Sequence, residues 1–288
     1  MAKQAKQTRK AKQESKPVAV HAYSLPKRTI SNLKIGQSFA EYDEVLAKGN
    51  VFVETPAIKI ASGGLSSKCF FIGRRGTGKT SINIYLQSRY PKGVIQLVPQ
   101  VFSPLTEYFS DEKTRDTRQM PFKTLVNCFK RTIIDEVLKT WKMYGYFNFD
   151  RTKSEIKSEK DMIEKFDFDD RMINLIELSQ DFLERNDIRS WNKFINRTKN
   201  LCREIDELRQ NEAWKCTVLI DRIDESWDGS EKSVILLMAL MHACIELNTQ
   251  VTSFNVYLFL RENIFERVKE IDNEFSRLET FVTSRPIA

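Results

Sequence analysis

This 288-residue sequence predicts an α/β fold, in which strands alternate with helices around one parallel sheet. Three observations lead there. An apolar run at 69–72 opens into a glycine-rich turn and then a helix-like run at 82–89. A β-favouring run at 217–220 closes on the acidic cluster Asp221-Arg222-Ile223-Asp224-Glu225. A strongly apolar helix over 233–248 leads into a further strand at 254–260. Short apolar runs bounded by turn signals and separated by helical stretches are the mark of strands covered on both faces.

The turn reads Gly73-Arg74-Arg75-Gly76-Thr77-Gly78-Lys79-Thr80-Ser81, the pattern G-x-x-x-x-G-K-T. Glycines at 73, 76 and 78 let the backbone turn tightly and bring its N–H groups toward phosphate oxygens. A helix starting near Lys79 aims its positive end at the same place. In this pattern Lys79 reaches the β- and γ-phosphates of a nucleotide, and the Thr80 hydroxyl holds Mg²⁺. Strand, turn and helix all stand where such a P-loop needs them, which separates it from a glycine-rich surface turn.

Ahead of the turn, 39–46 reads as a short helix, 51–53 as an extended lead-in, and Ser62-Gly63-Gly64 as a turn. A second strand is expected at 94–98. From about 103 to 213 no further strand is evident. Phe122, Leu125, Phe129, Ile133, Val137 and Trp141 recur at helical spacing, as do Met172, Leu175, Ile176 and Leu183, and then Phe194, Leu201, Ile205 and Leu208. This makes 103–213 a helical insertion between two strands of one sheet, a natural place for a protein partner. Its aromatic stripe reads as core. The mostly charged stretch at 151–160 reads as an exposed linker.

In open α/β sheets, ligands bind beyond the carboxyl ends of the strands. Asp221 stands at such an end and suits the Mg²⁺ shell, while Asp224 or Glu225 would serve as general base for an attacking water. Arg261 or Asn263, closing the strand at 254–260, would sense the γ-phosphate; a plain surface ion pair is the competing reading of Arg261. A charged helix at 264–278 and a fifth strand at 281–282 complete the reading.

The net charge of +7 sits in the tail. Residues 1–28 hold eight lysines and arginines against Glu14 alone, so the rest is formally neutral. The tail repeats Ala-Lys-Gln and lacks apolar periodicity, which predicts disorder to about Val18 and either salt-sensitive contact with nucleic acid or a merely solubilising role. The five cysteines lack C-x-x-C spacing, and no apolar run nears the ~20 residues of a membrane helix. The expectation is a cytoplasmic protein with reduced thiols and no zinc site.

Together, the Gly73-to-Thr80 turn and the Asp-Arg-Ile-Asp-Glu box resemble P-loop ATPases of the additional-strand, catalytic-glutamate class, in particular STAND, KAP-like and AAA-like, origin-recognition-related branches. Weaker support comes from Ala40-Glu41 before the P-loop strand and Leu260-Arg261-Glu262-Asn263-Ile264 after the fourth. Thr283-Ser284-Arg285-Pro286 imitates a motif of one branch, but it falls after the wrong strand. The resemblance covers roughly 35–283. It implies a five-stranded parallel sheet in the order 5-1-4-3-2, ATP and Mg²⁺ at its carboxyl edge, and ATP hydrolysis coupled to a conformational or assembly switch, with nucleotide-dependent oligomers and roles in phage defence or signalling. By that resemblance residues 73–81 bind nucleotide, Thr80 and Asp221 hold the metal, and Lys79, Asp224, Glu225 and Arg261 are catalytic. Relatives continue into a helical lid, so the stop at Ala288 leads to the expectation that this lid is absent. That raises the alternative of a nucleotide-gated binding module with little hydrolysis. The absence of an N-K-x-D guanine box favours ATP, and the loop type excludes a protein kinase.

Overall fold

The computed structural model describes residues 56–63, 68–74, 76–90, 93–100, 102–109, 120–146, 148–149, 154–209, 216–271 and 278–283, all within one compact unit spanning 36–288. The basic tail, the segments expected at 39–46 and 51–53, Arg75 and Ser284 to Pro286 lie outside the described residues.

Four strands form one parallel sheet: β1 Phe70–Gly73, β2 Val94–Leu97, β3 Cys216–Ile220 and β4 Phe254–Arg261, in the order β1-β4-β3-β2. The central strands are buried along almost their whole length, as a sheet covered on both faces requires. Phe71 ties the β1–β4 pair together, stacking on Phe259 at 5.1 Å and meeting Tyr257 edge-on at 5.4 Å. Where a fifth strand is expected, the chain makes a single parallel bridge, Val282 to Phe70, on the free side of β1. The N–H groups of Cys69 and Phe70 donate to the Phe281 carbonyl, and that of Thr283 to the Phe70 carbonyl.

The described helices are α1 Pro56–Gly63, α2 Lys79–Arg89, α3 Phe102–Tyr108, α4 Phe122–Met143, α5 Ser154–Ser158, α6 Lys160–Lys165, α7 Phe168–Glu184, α8 Ile188–Arg209, α9 Glu231–Gln250 and α10 Glu262–Ile271. The three long periodic stretches become α4, α7 and α8, which pack on one another. α9 is long and apolar enough to cross a membrane by length and composition; here it packs against α4 and β4.

Three sequence expectations are corrected. Residues 56–63 are helical, with Pro56 at the first position, where a missing N–H costs nothing, so Ser62 and Gly63 belong to a helix and not to a turn. α10 begins at Glu262, directly off β4. The stretch expected as an exposed linker at 151–160 is partly inside: among its described residues Lys157 and Ser158 are exposed, whereas two others are buried. Ile156 and Glu159 are fully buried, and the Glu159 carboxylate receives a bidentate pair from Arg131 at 2.7 and 2.8 Å and a second cation, Arg197, at 2.5 Å. Charge density signals exposure only where partners are lacking, and here they arrive from α4 and α8.

Candidate nucleotide site at the sheet edge

Because the strands run parallel, Gly73, Leu97, Ile220 and Arg261 all end at one edge. The glycine-rich turn leaves β1 there. An added Cβ at Gly73 would sit 2.5 Å from Thr77 Oγ1, so the turn closes only around glycine. Gly78 precedes α2 with φ +84°, the left-handed region, and contributes no side-chain cap. The first amides of α2 thus lack the capping oxygen that Ser, Thr, Asn or Asp would supply, and they remain available to an anion. Thr80 and Ser81 lie half-buried in that first turn.

Lys79 folds back over its own loop. Its Nζ donates to the carbonyls of Gly73 at 2.7 Å and Arg74 at 2.6 Å, with Thr77 Oγ1 at 3.4 Å. Burial lowers its pKa, the charge of Asp221 raises it, and those of Arg261 and Asp224 act in opposite directions. Lys79 therefore lies within electrostatic reach of Asp221, 142 positions along the chain.

Asp221 is buried at the end of β3. Its backbone N–H donates to Leu97 O at 3.0 Å and its Oδ1 accepts from Arg222 N at 2.9 Å, while Oδ2 has no hydrogen-bond partner. Desolvation raises its carboxyl pKa, against the lowering effects of the Arg222 amide and charge. A buried carboxylate oxygen left unpaired costs free energy unless something else binds there. Arg222 adopts φ +60°, unusual for a side chain of its size. That turn starts the 3₁₀ segment Ile223–Glu225.

The two acids of that segment differ. Asp224 forms an ion pair with Arg261 across to β4. Glu225 is exposed and holds looser company: Arg222 at 3.7 Å and a long contact from Gln100 Nε2 at 3.5 Å. Arg74 binds Glu262 at 2.7 Å, joining the loop to the start of α10, and Asn263 is exposed beside it. The structure thus brings together Gly73, Arg74, Gly76, Thr77, Gly78, Lys79, Asp221, Asp224 and Arg261, with Glu225 at the rim.

Sequence reasoning missed Gln100 and Glu262. Gln100 lies just past β2, and its backbone N–H donates to Asp169 Oδ2 at 3.2 Å, so it touches both the acidic segment and the first turn of α7. The rule that strand ends line the site would have found it. Among the described residues no group of three His, Cys, Asp or Glu gathers as a metal cage. A separate cleft of about 500 Å³ between α8 and the end of α9, lined by Lys199, Cys202, Arg203, Asp206, Glu207 and Gln250, contains none of the expected site residues. All five cysteines are buried and free.

No protein-family model matches the chain, and no solved structure matches it significantly. It is similar to the putative transposon gamma-delta 80.3 kDa protein of Escherichia coli strain K12, with 24% identity over 258 residues. That match takes in 84% of this chain and spans about a third of the relative's length, 35%.

Proposed function

We propose that this chain is a P-loop ATPase of the additional-strand, catalytic-glutamate type, which binds ATP with Mg²⁺ and couples its hydrolysis to a conformational or assembly switch. One observation supports this above all: at the carboxyl edge of the sheet, Lys79 on the glycine-rich loop lies within electrostatic reach of the buried Asp221 carboxylate, one oxygen of which has no hydrogen-bond partner among the described residues.

The residues fit such a ligand. The uncapped start of α2 offers amides to phosphate oxygens, and Thr80 with Asp221 Oδ2 offers oxygen ligands to a hard cation. Bound Mg·ATP would supply the scissile phosphoanhydride and the charge neutralisation that phosphoryl transfer demands. Lys79 gives up the Gly73 and Arg74 carbonyls, which phosphate oxygens replace as acceptors. Glu225, free of strong pairing, takes the proton of the attacking water. Asp224 orients Arg261, which carries positive charge toward the γ-phosphate position. The name of the E. coli relative, a putative transposon protein, extends to this chain only as the context in which we propose that the switch acts.

The test is release of phosphate from ATP by the purified chain, with and without Mg²⁺, beside Lys79→Ala. Loss of the lysine should weaken ATP binding by about 100-fold or more, as when one partner of a desolvated charge pair is removed. Undiminished ATP affinity in Lys79→Ala refutes the reading. Tight binding with background turnover favours the second one, a nucleotide-gated binding module, which the self-occupied Lys79 and the Asp224–Arg261 pair also suit.

A further inference from the structure

The outer face of α8 carries a one-signed stripe. Arg189, Asn192, Lys193, Asn196, Lys199 and Arg203 are all exposed, at the three- and four-residue spacing of a single helix face. The opposite face, including Phe194, Leu201 and Ile205, is buried in the insertion, which fixes the stripe toward solvent. From Ile188 to Arg203 the sequence contains no Asp or Glu. The four cations span about 21 Å along the axis at 1.5 Å per residue.

An ordinary solvated helix face does not look like this, as other faces of the same molecule show. Lys165 pairs with Asp161, Arg185 with Asp181, and Arg267 with Glu270. Lys193 and Lys199 meet no carboxylate at ion-pair distance among the described residues. Arg203 pairs with Glu207 at 3.9 Å, the distance at which Lys165 meets Asp161, so the contrast rests on Lys193 and Lys199. Asp187, just before the stripe, is occupied as a helix cap, accepting from Ser190 N at 3.0 Å. Placing Arg189 and Lys193 in the first turns of a helix also opposes its dipole, which favours acids there, as at Asp169 and Asp170 of α7. Glu207 offsets one end of the stripe and Asp187 acts on Arg189 at the other, while Lys193 and Lys199 between them keep uncompensated charge among the described residues.

We propose that the exposed face of α8 is a docking surface for the phosphate backbone of a nucleic acid. A row of cations interleaved with asparagine amides supplies charge for phosphates and hydrogen-bond donors for phosphate or sugar oxygens. These residues belong to α8 and not to residues 1–28, and their charge needs no nucleotide, so the proposal does not depend on the ATPase reading.

The experiment uses the full chain without nucleotide and measures binding to a mixed-sequence DNA duplex, to the same sequence single-stranded, and to polyglutamate, over 50 to 200 mM salt. The comparison is with the fourfold variant Arg189→Gln, Lys193→Gln, Lys199→Gln, Arg203→Gln. Because both proteins keep the tail, its contribution cancels. Neutralising four phosphate contacts should lower the slope of log affinity against log salt by about 3 to 4 for duplex and about 3 for single strand. Lys193→Glu alone, an exposed change that leaves the helix face intact, should weaken binding about 10-fold at the lowest salt. The thermal midpoint serves as the check that each variant is folded. An unchanged slope and affinity in the folded variants overturn the proposal and leave any binding to the tail. Stripe-dependent binding to polyglutamate with none to either nucleic acid overturns it in favour of an acidic protein partner.

Discussion

Two buried aspartates, Asp221 at the sheet edge and Asp135 inside the helical insertion, show what distinguishes a site from a scaffold. Both are almost without exposure, both have carboxylate oxygens with no hydrogen-bond partner, and burial raises the pKa of each. Around Asp135 the space is closed. Arg131 is held by Glu159, Arg171 by Glu136 and the Phe166 carbonyl, and Arg197 by Glu159. Around Asp221 the neighbours belong to loops. Among the described residues Lys79 donates only to its own turn, and Glu225 stands at the exposed rim. In the interior the cations around Asp135 are held by other carboxylates, whereas the charges at the sheet edge hold contacts that a ligand can replace. A buried ionic cluster is weak evidence for function, and often for net stability as well, since desolvation offsets much of the attraction.

The comparison breaks hardest at Arg131. Arg131→Met leaves Glu159 without its bidentate partner and should cost about 3 to 5 kcal/mol in urea unfolding, with ATP affinity unchanged wherever the protein is folded. A stable variant that loses ATP binding would put function in the insertion cluster. Glu225→Gln should do the reverse, keeping the unfolding midpoint and ATP affinity while turnover falls about 100-fold or more. Full activity in that variant would move the base to Asp224.

A smaller effect concerns pH. The folded pKa of Asp135 is raised above the ordinary 3.8, first by burial and next by the neighbouring Glu159, against lowering by Arg131, Arg171 and Arg197. The native state therefore keeps that proton where the unfolded chain has lost it, and stability falls as pH climbs from about 4 through the folded value. Asp135→Asn should flatten that fall and leave nucleotide binding alone, as unfolding curves at several pH values would show. An identical pH profile in the variant would mean that Asp135 stays ionised in the fold.

Much of this architecture is legible in the residues. Gly73 and Gly78 mark a turn that other side chains would block, and the run ending at Asp221 marks a central strand with an acid at its carboxyl end. Helical spacing locates α4, α7 and α8 closely because each buries one face. Other features resist such reading. The helix over 56–63 is too short for periodicity to register, and its Ser-Gly end resembles a turn. Glu159 lies in a stretch whose composition signals solvent, since nothing local announces that Arg131, 28 positions earlier, will meet it. The pairing of Asp224, rather than Glu225, with Arg261 depends on how β3 and β4 align.

By itself, the sequence determined the local conformations: where the backbone must be glycine, which runs bury themselves as strands, and which helix faces are apolar. These follow from steric limits and burial over a few residues. The tertiary structure alone decided which distant charges meet, bringing Lys79 within electrostatic reach of Asp221 and Arg131 to Glu159, and leaving Lys193 and Lys199 on α8 without a carboxylate at ion-pair distance among the described residues. Electrostatic partnership is set by distance in space, and separation along the chain carries little information about it.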